Sequence, residues 1–533
     1  MKEQAQPEHV EATELHSPTR RQFMIRSGLV STALMATGPA ALAAAKTTKK
    51  IARPASGTDI VAMEASTLST AIRTKVVSCR EVMQAYLAQV DRLNPKVNAI
   101  VSLQDREGLL KQADERDQQL AKGTYLGWMH GFPQAPKDLA NTAGILTTQG
   151  SPILKNNIPK VDAIIVERVK RNGAILIGKT NTPEFGLGSH TYNTVFGTTL
   201  NAYDQSRTAG GSSGGAAVSL ALNMLPVADG SDMMGSLRNP AGYNNVFGFR
   251  PSFGRVPFGP AGEVFYQQLG YEGPIGRTVT DLAMLLSVQA GHDARLPLSI
   301  DQDPAIFTRP LKRDFKGVRV GWMGDFGGYL PMEAGVMELS REALKSFETI
   351  GCVVEEAKPE FSMERLWQTW LTLRGFLLAG LAGPLYAKPE LRAMMKPEAV
   401  WEVENGLKLT AADVWKASAD RSAWYLALNK LFGKYDYLVL PSAQVFPFDA
   451  KLDWVKSIGE RKMDTYHRWM EVVIPATLAG VPAISVPAGF GGNGLPMGLQ
   501  ILGKAQADLS VLQIAYAYEQ ATQWVQKRKP SIL

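Results

Sequence analysis

GGSSGGAAVSLALNMLPVADGSDMMGSLRNPAGYNNVFGFRPSFGR, residues 210–255, has the least average composition in the chain. Two glycine–serine clusters, Gly210–Gly215 and Gly230–Ser236, bracket a segment of small apolar residues. Glycine at this density lets backbone N–H groups approach a ligand or an oxyanion closely. Serines set among such glycines are candidates for nucleophilic chemistry.

Outward from this stretch, helical and strand patterns alternate. Ser78-Cys79-Arg80-Glu81 is a capping box, and Val82, Tyr86, Val90 and Leu93 follow at helical spacing until Asn94-Pro95 stops the helix. A polar helix is expected over 104–122. From Trp128 the composition shifts to glycine, proline and short apolar runs, with a helix over 161–172 and a buried strand at Ala174–Ile177. Gly317–Trp322 reads as a strand, 333–349 as a long helix, 361–430 as helices rich in Trp, Met and Leu, and Tyr437–Leu440 as a strand. This alternation predicts an α/β class with a large mixed sheet core covered by helices on both faces.

The chain has 533 residues, 45% of them hydrophobic and 20% charged, a globular balance. Its net charge of +7 is spread out, with no basic run interleaved with aromatics, so no nucleic-acid partner is expected. No CxxC, HExxH or His/Cys cluster offers a metal site. No cofactor is expected either. Cys79 and Cys352 read as two separate buried thiols. Near the N-terminus, Thr19-Arg20-Arg21-Gln22-Phe23-Met24 is a twin-arginine pattern. An uncharged segment, Ser27–Ala45, follows and ends in the small-x-small site Ala41-Leu42-Ala43. Residues 1–45 are therefore expected to be a cleaved export signal read by the export machinery, delivering the protein to the periplasm or beyond. A flexible lead-in over 46–57 and a single domain over 58–533 would follow.

Three motifs compete for the chemistry. Gly173–Thr180 satisfies GxxxxGK[ST], but its four middle residues, Ala-Ile-Leu-Ile, read as a strand and cannot also curl around phosphate. Gly211-Ser212-Ser213-Gly214-Gly215 satisfies GxSxG, which needs an apolar strand before it and a late histidine. The residues before it are polar, and His467 is the one late histidine. Lys137-Asp138, within Pro133–Leu139, follows apolar sequence whose burial would depress an amine's pKa and free it to act as a base.

Together these residues resemble the amidase signature family. Its pattern is a lysine in a KD pair, a GGSSGG loop and a second serine 24 residues beyond the first loop serine; here 236 − 212 = 24. Gly178–Phe185, Phe196–Asn201, Gly480–Gly489 and Gly494–Gln500 also fit. The signature core spans about 128–260, with a variable, mainly helical pocket region over 290–470. The resemblance implies an amidase fold, a small-molecule amide substrate and a homodimer as one option. It further implies Ser236 as nucleophile, Ser212 as proton relay behind a cis peptide, and Lys137 as base. Backbone N–H groups of Met233, Met234, Gly235 and Ser236 would form an oxyanion hole, and Gly211 and Ser213 would touch substrate. The family includes a glutaminase subunit of a tRNA-dependent amidotransferase, which an export signal argues against. A non-catalytic binding module is the other alternative. Two positions depart from the family: Met234 stands where a glycine is usual, and Asn244-Asn245 where Cys-Gly is usual. Positive φ at Met234 would be strained, whereas negative φ would merely narrow the pocket.

Overall fold

The computed structural model describes residues 51–533. The twin-arginine pattern and its apolar segment lie outside the described residues. Eight strands build the main sheet: β1 (Ala228–Asp232), β2 (Phe247–Arg250), β3 (Tyr271–Gly276), β4 (Arg319–Trp322), β5 (Val353–Glu356), β6 (Tyr437–Pro441), β7 (Ala483–Phe490) and β8 (Pro496–Leu502). Their order is β5-β4-β6-β8-β7-β2-β3-β1. The β5-β4-β6 edge is parallel and the rest antiparallel, so the sheet is mixed.

Strand alternation sorts the side chains into two layers. Along β6, Leu438 and Leu440 pack with Trp367, Trp370 and Trp424, whereas Tyr437 and Val439 pack with Phe347, Leu512 and Tyr518. The first layer comes from helices α4 (Met363–Tyr386) and α6 (Ala411–Phe432), the second from the helices Val336–Thr349 and Asp508–Thr522. Covered on both faces, β6 is apolar at every position, as strands buried on both sides must be. The architecture is therefore α/β, with helices on both faces of a mixed sheet.

Toward the N-terminus, helix α1 (Cys79–Val97) begins at the expected capping box, with Ser78 accepting from Glu81 N. It runs past Asn94-Pro95 and ends at Asn98 in the left-handed region (φ 51). Proline there removes one N–H in the last turn, which is a smaller cost than in a helix interior. The expected flexible lead-in is anchored from Ile51 on: Ile51 packs on the core, and Arg53 donates to the Val76 carbonyl at 2.7 Å. The strand expected at Ala174–Ile177 forms at Ile175–Leu176, but it pairs with Pro133–Gln134 outside the main sheet. That pairing carries the chain into the Lys137 segment. Cys79 and Cys352 are unpaired and buried. Among the described residues, no helix is long and apolar enough to cross a membrane.

Candidate active site

Helix α2 (Gly214–Ala221) starts directly after the loop Gly210–Ser213, and α3 (Arg238–Tyr243) starts just after Ser236. Between them β1 carries Ser231 and Asp232 to the turn Met233–Ser236. Close packing fixes the loop: a Cβ on Gly211 would lie 2.9 Å from His190 N and 3.0 Å from the Ser189 carbonyl carbon. The Gly211–Ser212 peptide is cis, as the resemblance implies.

Lys137 is 1% exposed, and its Nζ donates to three hydroxyls: Ser212 Oγ at 2.7 Å, Ser213 Oγ at 2.9 Å and Ser231 Oγ at 3.0 Å. Burial lowers its pKa to about 7, against the opposing pull of Asp232, Asp229 and Glu272. An amine so placed is neutral in a large fraction of molecules at neutral pH and can accept a proton. Its own backbone is fixed, because Lys137 N donates to Asp229 Oδ2 at 3.0 Å while Gln134 Nε2 holds Asp229 Oδ1 at 2.9 Å. Glu272, opposite Ser231 in the β1–β3 pair, is buried with Oε2 unpartnered among the described residues. Burial raises its carboxyl well above the usual range.

The turn holding Ser236 is braced by Asp232. That carboxylate accepts from Gly235 N (2.9 Å), Leu237 N (3.1 Å), Arg238 Nε (3.0 Å) and Arg238 Nη2 (3.0 Å). Burial alone would raise the Asp232 carboxyl, but Arg238 and Arg250 outweigh it and hold it well below the usual carboxylate range. Arg238 and Asp232 are both fully buried, so each satisfies a charge the other could not leave bare.

This brace changes the expected set of oxyanion donors. The Gly235 N–H is consumed by Asp232, whereas those of Met233, Met234 and Ser236 have no acceptor among the described residues. Positive φ falls on Gly235 (φ 80) and not on Met234. The methionine is thus compatible with the turn, and its side chain, 4% exposed, packs into the apolar layer while lining the cleft. Met234→Gly should therefore keep hydrolysis within about tenfold of the parent. It should cost roughly 2–5 kcal/mol of stability, as deletion of a buried long side chain does. Denaturant unfolding and steady-state kinetics check both, and a folded variant with activity lost a hundredfold would contradict it. The Asn244-Asn245 departure is similarly accommodated: Asn245 takes φ 55, a conformation that glycine or asparagine adopts readily.

Ser212, Ser231, Met233, Met234 and Ser236 open onto a cleft of about 800 Å³. Its walls are largely apolar: Leu139, Leu154 and Phe185 on one side, Phe376, Leu377 and Leu381 of α4 on another. The tryptophans of the variable region are not among the lining: Trp367 and Trp370 are fully buried core. Gly211 and Ser213, expected to touch substrate, do not line the cleft. Gly211 lies against the Ser189–His190 backbone, and Ser213 is fully buried with its hydroxyl on Lys137 and accepting from Ser231 N at 3.3 Å. His467 is sealed among Trp367, Trp401 and Tyr466, and neither ring nitrogen has a partner among the described residues, so it does not serve Ser213. In the GxxxxGK[ST] match, Ile175-Leu176 is strand, and Lys179 Nζ donates to the Ala140 carbonyl (2.5 Å) and Thr142 Oγ1 (2.7 Å). Among the described residues, no group of three or more His, Cys, Asp or Glu is placed to hold a metal.

The profile of the family described as Amidase matches residues 81–512. The chain belongs to the amidase family. An acylamidase of Rhodococcus erythropolis is 33% identical over 476 residues, covering 87% of this chain and 97% of that protein. A glutamyl-tRNA(Gln) amidotransferase subunit of Thermosynechococcus vestitus is 34% identical, covering 85% and 96%. Among solved structures, a bacterial aryl acylamidase of the amidase signature enzymes superposes with a TM-score of 0.81 at 29% identity, covering 87% of this chain and 97% of that one. As a member of the amidase family the protein is an enzyme that hydrolyses amides. The structure brings the expected residues together: Lys137 contacts Ser212, and Ser212 and Ser236 line one cleft. Sequence reasoning missed Asp229, which lay inside the quoted stretch, and Glu272, which lay outside it; both gain meaning only through strand register and long-range contacts. Asp232 and Arg238 lay inside the quoted stretch, and their opposite charges six residues apart were the available signal.

Proposed function

We propose that this amidase cleaves a carboxylic amide through an acyl-enzyme on Ser236. Neutral Lys137 takes the Ser212 proton while Ser212 takes that of Ser236, and Ser236 Oγ attacks the carbonyl carbon. The N–H groups of Met233, Met234 and Ser236 stabilise the oxyanion, each donor contributing roughly 100-fold or more in rate. The protonated lysine returns its proton through Ser212 to the departing nitrogen. Water then attacks the ester by the same relay, releasing the acid and restoring Ser236. The observation that carries this reading is the 2.7 Å contact between a fully buried, pKa-depressed lysine and Ser212. The apolar walls favour an apolar or aryl acyl group, by the area such a group removes from water. A fluorophosphonate probe tests it: the parent protein should label and Ser236→Ala should not. Labelling retained in Ser236→Ala would remove Ser236 from the role, and no labelling of either would favour a binding module.

The twin-arginine pattern supports export of the folded enzyme. Replacing Arg20 and Arg21 together by lysine should move the protein from the periplasmic to the cytoplasmic fraction, read by fractionation and immunoblot. Unchanged periplasmic recovery would exclude the twin-arginine route. Export also separates the chain from aminoacyl-tRNA, which supports hydrolysis over the amidotransferase reading.

A further inference from the structure

Away from the serine turn, the largely apolar wall formed by α4 carries a charged pair where α4 meets α5 (Pro397–Gly406). Arg374 and Glu402 both line the cleft there while being 4% and 2% exposed. Arg374 Nε donates to Glu402 Oε1 at 2.5 Å, Arg374 Nη2 donates to Tyr466 Oη at 2.8 Å, and Tyr466 Oη donates to Glu402 Oε1 at 2.7 Å. Every bond on the acid goes to Oε1. No described residue bonds Glu402 Oε2, and the sole partner of Arg374 Nη1 is the thioether of Met233, at 3.3 Å. A thioether is a weak acceptor. A strong donor and a strong acceptor are therefore left under-used side by side on the wall of the cleft. Such groups cost free energy until a ligand satisfies them.

We infer that Arg374 Nη1 and Glu402 Oε2 form a polar subsite that recognises a second, uncleaved primary carboxamide or ureido group on the substrate. The inference rests on the hydrolase reading of the same cleft. Charge selects the class. The pair is neutral overall, so a carboxylate would meet the free oxygen of Glu402 and an ammonium would meet Arg374. A primary carboxamide carries C=O and a syn N–H on one edge: its oxygen accepts from Nη1 and its N–H donates to Oε2. A ketone supplies only the acceptor and leaves the acid unpartnered, the situation in which a built polar site rejects an analogue most strongly. Tyr466 stays a neutral phenol, since burial raises its pKa well above the ordinary value, and so holds Oε1 and turns Oε2 outward.

Four anilides of one acyl chain length test this, ending in –CONH2, –COCH3, –CH(CH3)2 or –COO⁻. Hydrolysis by the parent enzyme is measured as kcat/KM, and binding to Ser236→Ala by calorimetry. The carboxamide should exceed the ketone and the alkyl end at least about tenfold in both readouts, and the carboxylate should be the poorest. In Glu402→Gln, where one oxygen becomes an amide, the carboxamide-to-ketone ratio should fall toward one. Tyr466→Phe keeps Arg374 and Glu402 and should reduce the same ratio partially. Equal binding of carboxamide and ketone to Ser236→Ala, or an unchanged ratio in folded Glu402→Gln, would overturn the subsite. A binding preference without hydrolysis of any anilide would instead overturn the acyl-enzyme reading and leave the subsite standing.

Discussion

Ser236→Ala should lower kcat on any amide substrate by roughly 10⁵-fold while leaving the fold and the substrate affinity nearly unchanged. The hydroxyl is the one group in the turn that can form the acyl bond, and nothing else depends on it. Its side chain makes no hydrogen bond to a described residue, and the turn is held by Asp232 through backbone and guanidinium donors. Truncation thus removes the nucleophile and leaves the scaffold. Ser212→Ala should cost nearly as much, because Lys137 then has no relay toward Ser236. The double variant Ser212→Ala/Ser236→Ala should be no worse than Ser236→Ala alone, as residues acting as one unit are not additive. Ser213→Ala offers the contrast. Its hydroxyl bonds Lys137 at 2.9 Å but faces no part of the cleft, so the loss should stay within about a hundredfold. Single-turnover kinetics on the purified variants decide among these. If Ser213→Ala were dead and Ser236→Ala active, the GxSxG serine would be the nucleophile after all.

How much of this was legible in the sequence differs by element, for physical reasons. β6 announced itself as a continuous apolar run, because a strand buried on both faces has no polar positions. The α1 start was readable from its capping box, but its end was not: whether a helix continues through Asn94-Pro95 depends on how its last turn packs and on Asn98 accepting a left-handed φ. The candidate serines and Lys137 were legible because a GGSSGG loop, a second serine 24 residues on and a KD pair together form a recognisable family pattern. The second layer was hidden. Asp229 supports the Lys137 backbone across 92 residues, and Arg374 meets Glu402 across 28 and Tyr466 across 92. No local pattern encodes such pairings. The sequence also left the character of Met234 open between strain and narrowing, a choice resolved by the backbone, where positive φ falls on Gly235 and not on Met234.

Activity should rise with pH through an apparent pKa near 7 and hold level above it, since Lys137 works only as the neutral amine and burial lowers its pKa to about 7. Lys137→Met should lose hydrolysis by at least about four orders of magnitude at every pH. Lys137→Arg should be equally inactive, because guanidinium stays protonated. On stability Lys137→Met acts in the opposite direction. The unfolded lysine titrates near its ordinary value of 10.5 and the folded one near 7. Between those values the unfolded chain binds more protons, so stability rises with pH across that window. Below about 7 the folded protein carries the full penalty of a buried ammonium; above 10.5 neither state is charged there. Lys137→Met removes a group that opposes folding, so it should raise the unfolding temperature relative to the parent, and by more at pH 6 than at pH 9. Activity and stability thus separate at a single side chain. Thermal unfolding and kcat/KM measured on the same two proteins at both pH values give the answer. A Lys137→Met protein less stable than the parent at pH 6, or a parent pH profile flat from 6 to 9, would show that Lys137 is not the buried base described.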